Sequence, residues 1–391
     1  MKILFYLPFI KMGGLEKIAI EYLKCFESLN YDVTLLVNYD LGKGNILAHE
    51  IPKTVKVKYV HKPHISNFVY KVRTLAKENK LFYLFQFFFV WFFDWVAWNF
   101  KLRMHLKKDF DHTVSFYQFL PTYISRYSES NIIWMHGSIL RFFSKKLIFL
   151  YDLYFSRLKK YSKVVCISKE MQQEIYLIYP KLDQDKVKVM FNPVSIDLIN
   201  ENKNDIDSLS ECEKKLLTKK YICSVGRLDE NQKDFRTLLL AFKECKIEDL
   251  WLYIVGDGID RKKLEDIVLE KNIKNVVFLG YQKNPHIWMK NSEAFILSSK
   301  YEGLPTVLIE GLSCGCPVIS SRCPTGPAEI LQEGEYGDLF EVGNVNELVK
   351  LIEQVSQKKD MEKIEKGLKS LNRYDKKLLT EKIHNFFREG K

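Results

Sequence analysis

YEGLPTVLIEGLSCGCPVIS, residues 301–320, places two glutamates on either side of a Gly-Leu-Pro step. The apolar run AFILSS just before it predicts a buried parallel strand, and LPTVLIEGLSC carries apolar residues at helical spacing until Gly315. Pro305 suits the first position of that helix, because the N–H group that proline lacks would have no partner there. The stretch therefore predicts a strand, a turn, a helix and the start of the next strand.

The spacing of the two glutamates indicates what this unit could hold. Glu302 falls in the turn, just ahead of the exposed N–H groups of the helix, and Glu310 lies about six residues inside it, roughly 9 Å along the axis. That length approximates a sugar, a diphosphate and a ribose laid end to end. Each glutamate alone is more simply a solvated charge, so this interpretation requires diphosphate-binding residues elsewhere in the chain.

Length and composition are those of a globular protein with more than one domain. At 391 residues the chain is too long for one ordinary hydrophobic core, and its apolar fraction of 47% excludes a disordered protein. The eight cysteines are scattered, and no secretory signal precedes the first strand, which favours a reduced, cytoplasmic setting. Cys314, Cys316 and Cys323 cluster in sequence, but no fourth ligand is near, so we expect no zinc site.

Strand and helix patterns alternate along both halves of the chain, which predicts α/β architecture with two Rossmann-like, doubly wound domains. The predicted strands are 2–8, 31–38, 112–117, 131–137 and 162–168 in the first half and 221–227, 250–258, 275–281, 293–299 and 317–321 in the second. A long polar helix from about residue 344 is expected to close the chain.

A polar tract with an Asn-Pro step, residues 191–215, interrupts this alternation and predicts a linker. We therefore expect a first domain over 1–195, a linker over 196–217, a second domain over 218–375 and a C-terminal helix over 376–391 that packs back on the first domain. Two such domains enclose a cleft lined by the carboxyl ends of their strands. Open α/β sheets bind their ligands at these strand ends.

Several residues at the predicted strand ends suit an anionic ligand. Gly13 and Gly14 open a helix directly after the first strand, so an anion could approach its N–H groups. Arg227 ends a strand and Lys233 begins the next helix, and together they supply the charges that a diphosphate requires. His136 ends a strand on the opposite side of the cleft. Taken singly, the glycines are more often part of a flexible loop, the two cations more often surface charges and the histidine more often a structural hydrogen-bonding group.

Residues 81–100, LFYLFQFFFVWFFDWVAWNF, are nearly all aromatic or aliphatic and have cationic flanks. The segment is long enough to span a bilayer, but Gln86, Asp94 and Asn99 interrupt it. With the net charge of +11, its composition favours an interfacial helix or hairpin on an anionic membrane surface. A buried core helix and a true span stay open. The basic residues form no nucleic-acid-binding motif, so we expect no nucleic-acid partner.

The stretches SKYEGLPTVLIEGLSCGCPVISSRCPTGPAEIL, SVGRLDENQKD, FNPVSID, IVGDG and MGGLEK together resemble the retaining GT-B glycosyltransferases of the GT4 family. The resemblance is strong from about Tyr221 to Phe340, which includes the E-x7-E signature, and thinner in the first domain. It implies that the second domain binds a nucleotide-sugar and the first faces the acceptor. It also implies that Arg227 and Lys233 neutralise the donor diphosphate, aided by the Gly14 backbone.

The same resemblance assigns roles around the sugar and the nucleoside. Glu302 would bind hydroxyl groups of the transferred sugar, with the N–H groups around Gly303 and Leu304 near the sugar and phosphate. Glu310 would hold the ribose hydroxyls, and His136 would contact the donor sugar near the reacting centre. The loop GYQKNPH would lie against the base, which we expect to be uracil.

The chemistry implied is transfer of a hexose or N-acetylhexosamine with retention, by front-face attack and without a covalent enzyme intermediate. Metal-dependent transferases use a D-x-D turn, and the sequence matches that pattern at residues 183–185 and 205–207. Neither match follows a buried strand, so we expect solvated carboxylates, no metal and no other cofactor.

The aromatic segment of the first domain predicts a membrane-held acceptor. A polyprenyl-diphosphate-linked oligosaccharide or a lipopolysaccharide core would serve, in bacterial surface glycan biosynthesis at the inner face of the cell membrane. Two other functions stay open. One is a non-catalytic protein of the same fold that binds a nucleotide or scaffolds a membrane assembly. The other is an unrelated membrane-surface or nucleic-acid-binding protein, which would explain the charge but not the paired glutamates.

Overall fold

A computed structural model describes residues 1–11, 13–64, 66–67, 96, 109–117, 127–138 and 158–389. The aromatic segment 81–100 lies outside these ranges except for residue 96, so its predicted membrane contact stays a prediction. Within the described part of the chain, no helix is long and apolar enough to cross a membrane.

The first domain contains a seven-stranded parallel sheet with the strand order β3-β2-β1-β4-β5-β6-β7. Its strands are β1 Lys2–Leu7, β2 Asp32–Tyr39, β3 Lys56–His61, β4 His112–Ser115, β5 Ser130–Met135, β6 Lys163–Cys166 and β7 Val187–Val189. Helix α1, Gly14–Ser28, follows β1, and helix α2, Lys169–Ile178, follows β6. All five strands predicted in this half are present, and β3 and β7 are additional edge strands.

The second domain contains a six-stranded parallel sheet with the order β10-β9-β8-β11-β12-β13. Its strands are β8 Tyr221–Val225, β9 Trp251–Val255, β10 Val276–Gly280, β11 Phe295–Leu297, β12 Val318–Ser321 and β13 Asp338–Phe340. In each sheet the strand order reverses beside the first strand of the domain, at β1 and at β8. Such reversals create the crevice in which α/β proteins bind ligands.

The helices after residue 195 cover both faces of the second sheet and then return to the first domain. They are α3 Ile196–Asn202, α4 Glu211–Leu217, α5 Phe235–Glu244, α6 Arg261–Glu270, α7 His286–Lys290, α8 Thr306–Cys314, α9 Pro327–Ile330, α10 Val345–Gln357, α11 Met361–Lys369 and α12 Lys376–Arg388. The stretch predicted as a linker holds α3 and α4, and a capping box of Ser210 and Glu213 starts α4.

The single polar helix expected from residue 344 is in fact three helices, α10 to α12. Asp360 caps α11 by accepting a hydrogen bond from the Lys363 N–H at 3.0 Å, and Asp375 caps α12 by accepting from the Lys377 N–H at 2.9 Å. Aspartate is a preferred N-cap, because its carboxylate satisfies N–H groups at the start of a helix that have no intrahelical partner. No glycine or proline marks these two breaks, so the polar periodicity appeared continuous.

Helix α12 packs on the first domain. Phe387 meets Phe26 edge to face with 5.4 Å between ring centroids, and it stacks on Trp134 at 6.2 Å. Where the chain crosses between the domains, the N–H group of Val194 donates to the Tyr374 carbonyl at 2.9 Å. The two crossings therefore run side by side and join the domains at one place.

Candidate functional site

Glu302 lies in the turn between β11 and α8 and is only 7% exposed. Its Oε1 accepts hydrogen bonds from Lys233 Nζ at 2.7 Å and from Ser299 Oγ at 2.5 Å. Its Oε2 accepts from Gln232 Nε2 at 3.3 Å. A buried carboxylate requires such a countercharge and donors, since taking it out of water is otherwise costly. Lys233 and Glu302, which the sequence assigns to different parts of a donor, therefore contact each other directly.

Arg227 lies at the end of β8, and its side chain is 56% exposed. Its guanidinium Nη2 lies 3.4 Å from Asp229 Oδ2 and donates to Gln232 Oε1 at 3.4 Å. Gln232 thus links the exposed arginine to Glu302. Neither Gln232 nor Ser299 was expected at the site from the sequence. Gln232 precedes Lys233, and Ser299 lies in the SSKYEG run that leads to Glu302.

Helix α8 begins at Thr306, with Pro305 as its N-cap, one residue later than expected. Glu310 is its fifth residue and lies 3.3 Å, through Oε2, from His286 Nε2. Burial alone raises the pKa of Glu310, but the hydrogen bond and charge of His286, together with Lys17 of α1, hold this pKa below its usual value. The carboxyl group is therefore ionised near neutral pH.

Gly303 brings the turn of the second domain against the first domain. A Cβ atom at this position would lie 2.2 Å from the backbone carbonyl oxygen of His136 and 3.1 Å from Ile167 Cδ1. A residue with a side chain cannot make so close an approach without a shift of the backbone. Leu304 next to it is buried in the core, so only its backbone is available to a ligand.

His136 follows β5, and its ring lies against Phe116 with 4.3 Å between centroids. Burial lowers the pKa of His136 to about 3, because the surroundings disfavour the charged imidazolium. The imidazole is therefore neutral at physiological pH. It can take part in hydrogen bonds but supplies no positive charge to a ligand.

The Gly-Gly loop lies at the N-terminus of α1, as the sequence predicts. Gly13 has extended backbone geometry, and Gly14 is the first helical residue. Glu16, in the first turn, is buried and folds toward Gly13, where an added Cβ would lie 2.2 Å from Glu16 Oε2. Burial raises the pKa of Glu16, and the charges of Lys11 and Arg227 partly counteract this effect. Arg227 of the second domain therefore acts electrostatically on this helix start in the first domain.

Within the part of the chain that the structure describes, no group of three or more His, Cys, Asp or Glu side chains could hold a metal ion. Asp183 and Asp185 are exposed in the short segment before β7, and Asp205 and Asp207 are exposed between α3 and α4. The aspartates of both D-x-D matches are therefore solvated, as expected, while metal independence itself stays a prediction.

Comparison with known proteins shows which family the second domain is similar to. The family model described as glycosyl transferases group 1 matches residues 205–370. Most of the second domain is therefore similar in sequence to the group 1 glycosyl transferases. The match covers the strand, turn and helix unit that carries Glu302 and Glu310, as well as Arg227 and Lys233.

Curated proteins are similar to about half of the chain. An N-acetylgalactosamine-N,N'-diacetylbacillosaminyl-diphospho-undecaprenol 4-alpha-N-acetylgalactosaminyltransferase of Campylobacter jejuni is 34% identical over 164 residues, which is 42% of each chain. A lipopolysaccharide 1,6-galactosyltransferase of Escherichia coli K12 is 32% identical over 197 residues, 48% of this chain and 50% of the relative. The chain spans about half the length of the curated relatives that it matches.

Structural similarity extends over both domains. HepE of Anabaena, solved in complex with UDP, superimposes with a TM-score of 0.74 at 18% identity and covers 99% of both chains. A second structure of HepE contains UDP-glucose and gives a TM-score of 0.73. The predicted GT-B fold, with two Rossmann-like domains, is therefore confirmed.

Proposed function

We propose that this protein is a retaining, metal-independent glycosyltransferase that transfers a hexose or N-acetylhexosamine from a UDP-sugar to a membrane-associated glycan acceptor. The observation that carries the proposal is the Lys233–Glu302 pair, with its 2.7 Å contact, in a cleft-side turn. That turn touches the first domain through Gly303. Pairing a cation with a buried carboxylate at this point brings together a phosphate binder and a sugar binder.

The diphosphate of the donor would lie between the two domains. The Lys233 ammonium has three N–H donors, and its contact with Glu302 leaves donors for a phosphate oxygen. Arg227 is exposed enough to turn toward the same phosphates. The N–H groups at the start of α1 would reach them from the first domain once the Glu16 carboxylate, which folds toward Gly13, moves aside. Such preorganised donors stabilise the negative charge that develops on the departing nucleotide. The structures of HepE with UDP and UDP-glucose support a UDP-sugar as donor.

The sugar and the ribose would be held by the two glutamates. Glu302 accepts hydrogen bonds from sugar hydroxyl groups in addition to those from Lys233, since a carboxylate offers about four lone-pair sites. Glu310, ionised because of His286, accepts from the ribose hydroxyls. Neutral His136 contacts the sugar as a hydrogen-bonding group near the reacting carbon.

In the proposed transfer step, the bond between the anomeric carbon and the β-phosphate oxygen breaks as the acceptor oxygen bonds to the same face of the sugar. The acceptor hydroxyl proton passes to an oxygen of the departing phosphate. Glu302 is engaged by Lys233 and Ser299, which makes it a poor free nucleophile, so no covalent intermediate forms. Detection by mass spectrometry of a glycosyl adduct on Glu302 would contradict this mechanism.

The acceptor is proposed from the relatives and from the first-domain sequence. Relatives named for diphospho-undecaprenol and lipopolysaccharide acceptors favour a polyprenyl-diphosphate-linked oligosaccharide or a lipopolysaccharide core. The net charge of +11 and the aromatic residues of 81–100 favour a peripheral position on an anionic membrane at the inner face of the cell membrane.

Transfer from radiolabelled UDP-sugars to extracted lipid-linked glycans, in EDTA, tests the function. We expect turnover with one UDP-sugar and at least a 100-fold loss in Lys233→Ala. Binding of UDP without turnover on any acceptor would instead favour the non-catalytic nucleotide-binding alternative. For the membrane part, replacing Trp91, Trp95 and Trp98 by serine should weaken flotation with phosphatidylglycerol vesicles. Unchanged flotation and lipid-acceptor turnover would contradict the membrane contact.

A further inference from the structure

Two glutamates, one in each domain, accept hydrogen bonds from the backbone of the other domain. They lie away from the residues already assigned to the donor. Glu329, in α9 of the second domain, accepts through Oε2 from the N–H groups of Lys169 at 2.8 Å and Glu170 at 3.3 Å. Both of these residues begin α2 in the first domain. In return, Glu170 Oε2 accepts from the N–H of Gly326 at 2.6 Å. Each carboxylate thus binds the backbone of the opposite domain.

Helix α2 depends on this contact to complete its N-terminus. The first N–H groups of a helix have no intrahelical partner and favour a negative charge. Ser168 satisfies only the Met171 N–H, at 3.2 Å, and Glu329 satisfies the two N–H groups before it. Separation of the domains would leave these two groups to water, so the start of α2 reports whether the domains are together.

In the second domain, the segment 324–326, which contains Gly326, is hydrogen-bonded to the Glu302 turn. The N–H of Glu302 donates to the Pro324 carbonyl at 3.3 Å, and Thr325 Oγ1 donates to the Glu302 carbonyl at 2.6 Å. A Cβ at Gly326 would lie 2.6 Å from the Gly303 carbonyl oxygen. Thr325 and Gly326 both have left-handed backbone geometry, with φ of 59° and 93°. The segment 324–326 therefore holds the Glu302 turn from behind, and Glu170 holds that segment.

We propose that Glu170 and Glu329 form an interdomain clamp that positions the Glu302 turn against the end of β5 for sugar transfer. They are positioning residues, since they act through the segment 324–326 and contact no predicted donor group. Their role in transfer rests on the proposed function, while the clamp itself rests only on the contacts between the domains.

Both glutamates of the clamp are half-buried. Burial raises the pKa of Glu170 and of Glu329, and the negative charge of Glu329 raises that of Glu170 further. The charges of Glu174 and Glu333 also act on Glu170, whereas those of Lys169 and Arg373 act favourably on Glu329. The negative charge of Glu329 therefore offsets part of the hydrogen bonding that Glu170 makes to the N–H of Gly326.

The test compares Glu170→Ala, Glu329→Ala and the double variant with Glu335→Ala, a control that removes an exposed carboxylate from the same region. Hydrogen exchange is followed at the amides of residues 169, 170 and 326. If the clamp opens as a unit, each single variant accelerates exchange at both ends, not only at the amide that lost its acceptor. The double variant should be no faster than the singles, and the control should match wild type.

Kinetics provide the second measurement. We expect each single variant to lower kcat by about tenfold, the scale of one hydrogen bond to a charged group, with the KM for the UDP-sugar changed less than threefold. Glu329→Gln retains an acceptor oxygen, so it should recover most of kcat; it also replaces the alanine variant if that does not fold. Exchange confined to the amide that lost its acceptor, with wild-type kcat, would overturn the clamp. The hydrogen-exchange comparison tests the clamp even if the wild-type protein turns over no UDP-sugar. Absence of turnover would contradict only the proposed function.

Discussion

Replacement of Gly303 by alanine tests the close approach of the two domains at the candidate site. The added Cβ would lie 2.2 Å from the His136 carbonyl oxygen and 2.9 Å from its carbonyl carbon, whereas ordinary contact begins at 3.4 Å. The turn and the end of β5 must therefore separate by about 1.2 Å, the difference between 3.4 and 2.2 Å. A misplacement of about 1 Å can lower a rate about 100-fold, which corresponds to about 2.7 kcal/mol in activation free energy.

Two measurements separate this effect from a loss of donor binding. In a coupled assay of UDP release with acceptor present, kcat of Gly303→Ala should fall about 100-fold. In isothermal titration, the dissociation constant for UDP should rise less than fivefold, since Lys233, Arg227 and Glu310 are unchanged. Circular dichroism at the assay temperature verifies that the variant is folded.

Gly14→Ala is the matched comparison. The Cβ added at Gly14 meets no atom within 4 Å, and this first helical residue would contribute only its backbone N–H. Its kcat and UDP affinity should stay within threefold of wild type. Wild-type kcat in Gly303→Ala would refute the proposed need for this close approach, as would equal losses in the two variants.

Three further predictions concern ionisation and metal. Because the pKa of Glu310 lies below its ordinary 4.5, the binding contribution of its ionised form is present above pH 4.5 and is lost as the pH falls through the lowered pKa. His286→Ala removes the group that opposes the effect of burial on the Glu310 pKa. The pH at which UDP affinity falls, measured by titration calorimetry, should therefore be higher in this variant. An unchanged pH would show that His286 does not control the ionisation of Glu310. Because burial lowers the pKa of His136 to about 3, the pH profile of kcat should be the same in wild type and His136→Gln between about pH 5 and 8, apart from a lower plateau. A limb near pH 6.5 present only in wild type would contradict a neutral imidazole. Turnover should persist in EDTA, and a loss restored by manganese would show that a metal is required.

Sequence patterns predicted the strands with clear apolar runs, including the edge strand β10, and they missed the edge strands β3, β7 and β13. In β3, Lys56 and Lys58 are exposed on an edge with one solvated side, so the strand lacks the apolar pattern of its neighbours. β7 and β13 have three residues each, too few for a periodicity. A short edge strand forms because the neighbouring strand presents backbone N–H and C=O groups with which it can pair. The sequence of the edge strand itself does not show that these groups are available.

The candidate site was predictable as a set of residues but not as a set of contacts. Glu302 and Lys233 were identified from motif and strand-end position, yet their ion pair joins residues 69 positions apart. Contacts between the domains, such as that of Glu170 with Gly326, depend on how two separately folded sheets dock. Local spacing carries no information about that docking. The role of Gln232 and the contact of His286 with Glu310 therefore became evident only from the structure.

The most direct test of nucleotide binding in the cleft is thermal unfolding of wild type and Lys233→Ala in EDTA with UDP, GDP or ADP. A nucleotide present at 100 times its dissociation constant adds about 2.7 kcal/mol to the free energy of unfolding. We predict that UDP alone raises the wild-type midpoint by several degrees, and that Lys233→Ala shows no such shift. A wild-type midpoint that no nucleotide changes, or an equal UDP shift in Lys233→Ala, would contradict a UDP-sugar site built on Lys233 and Glu302.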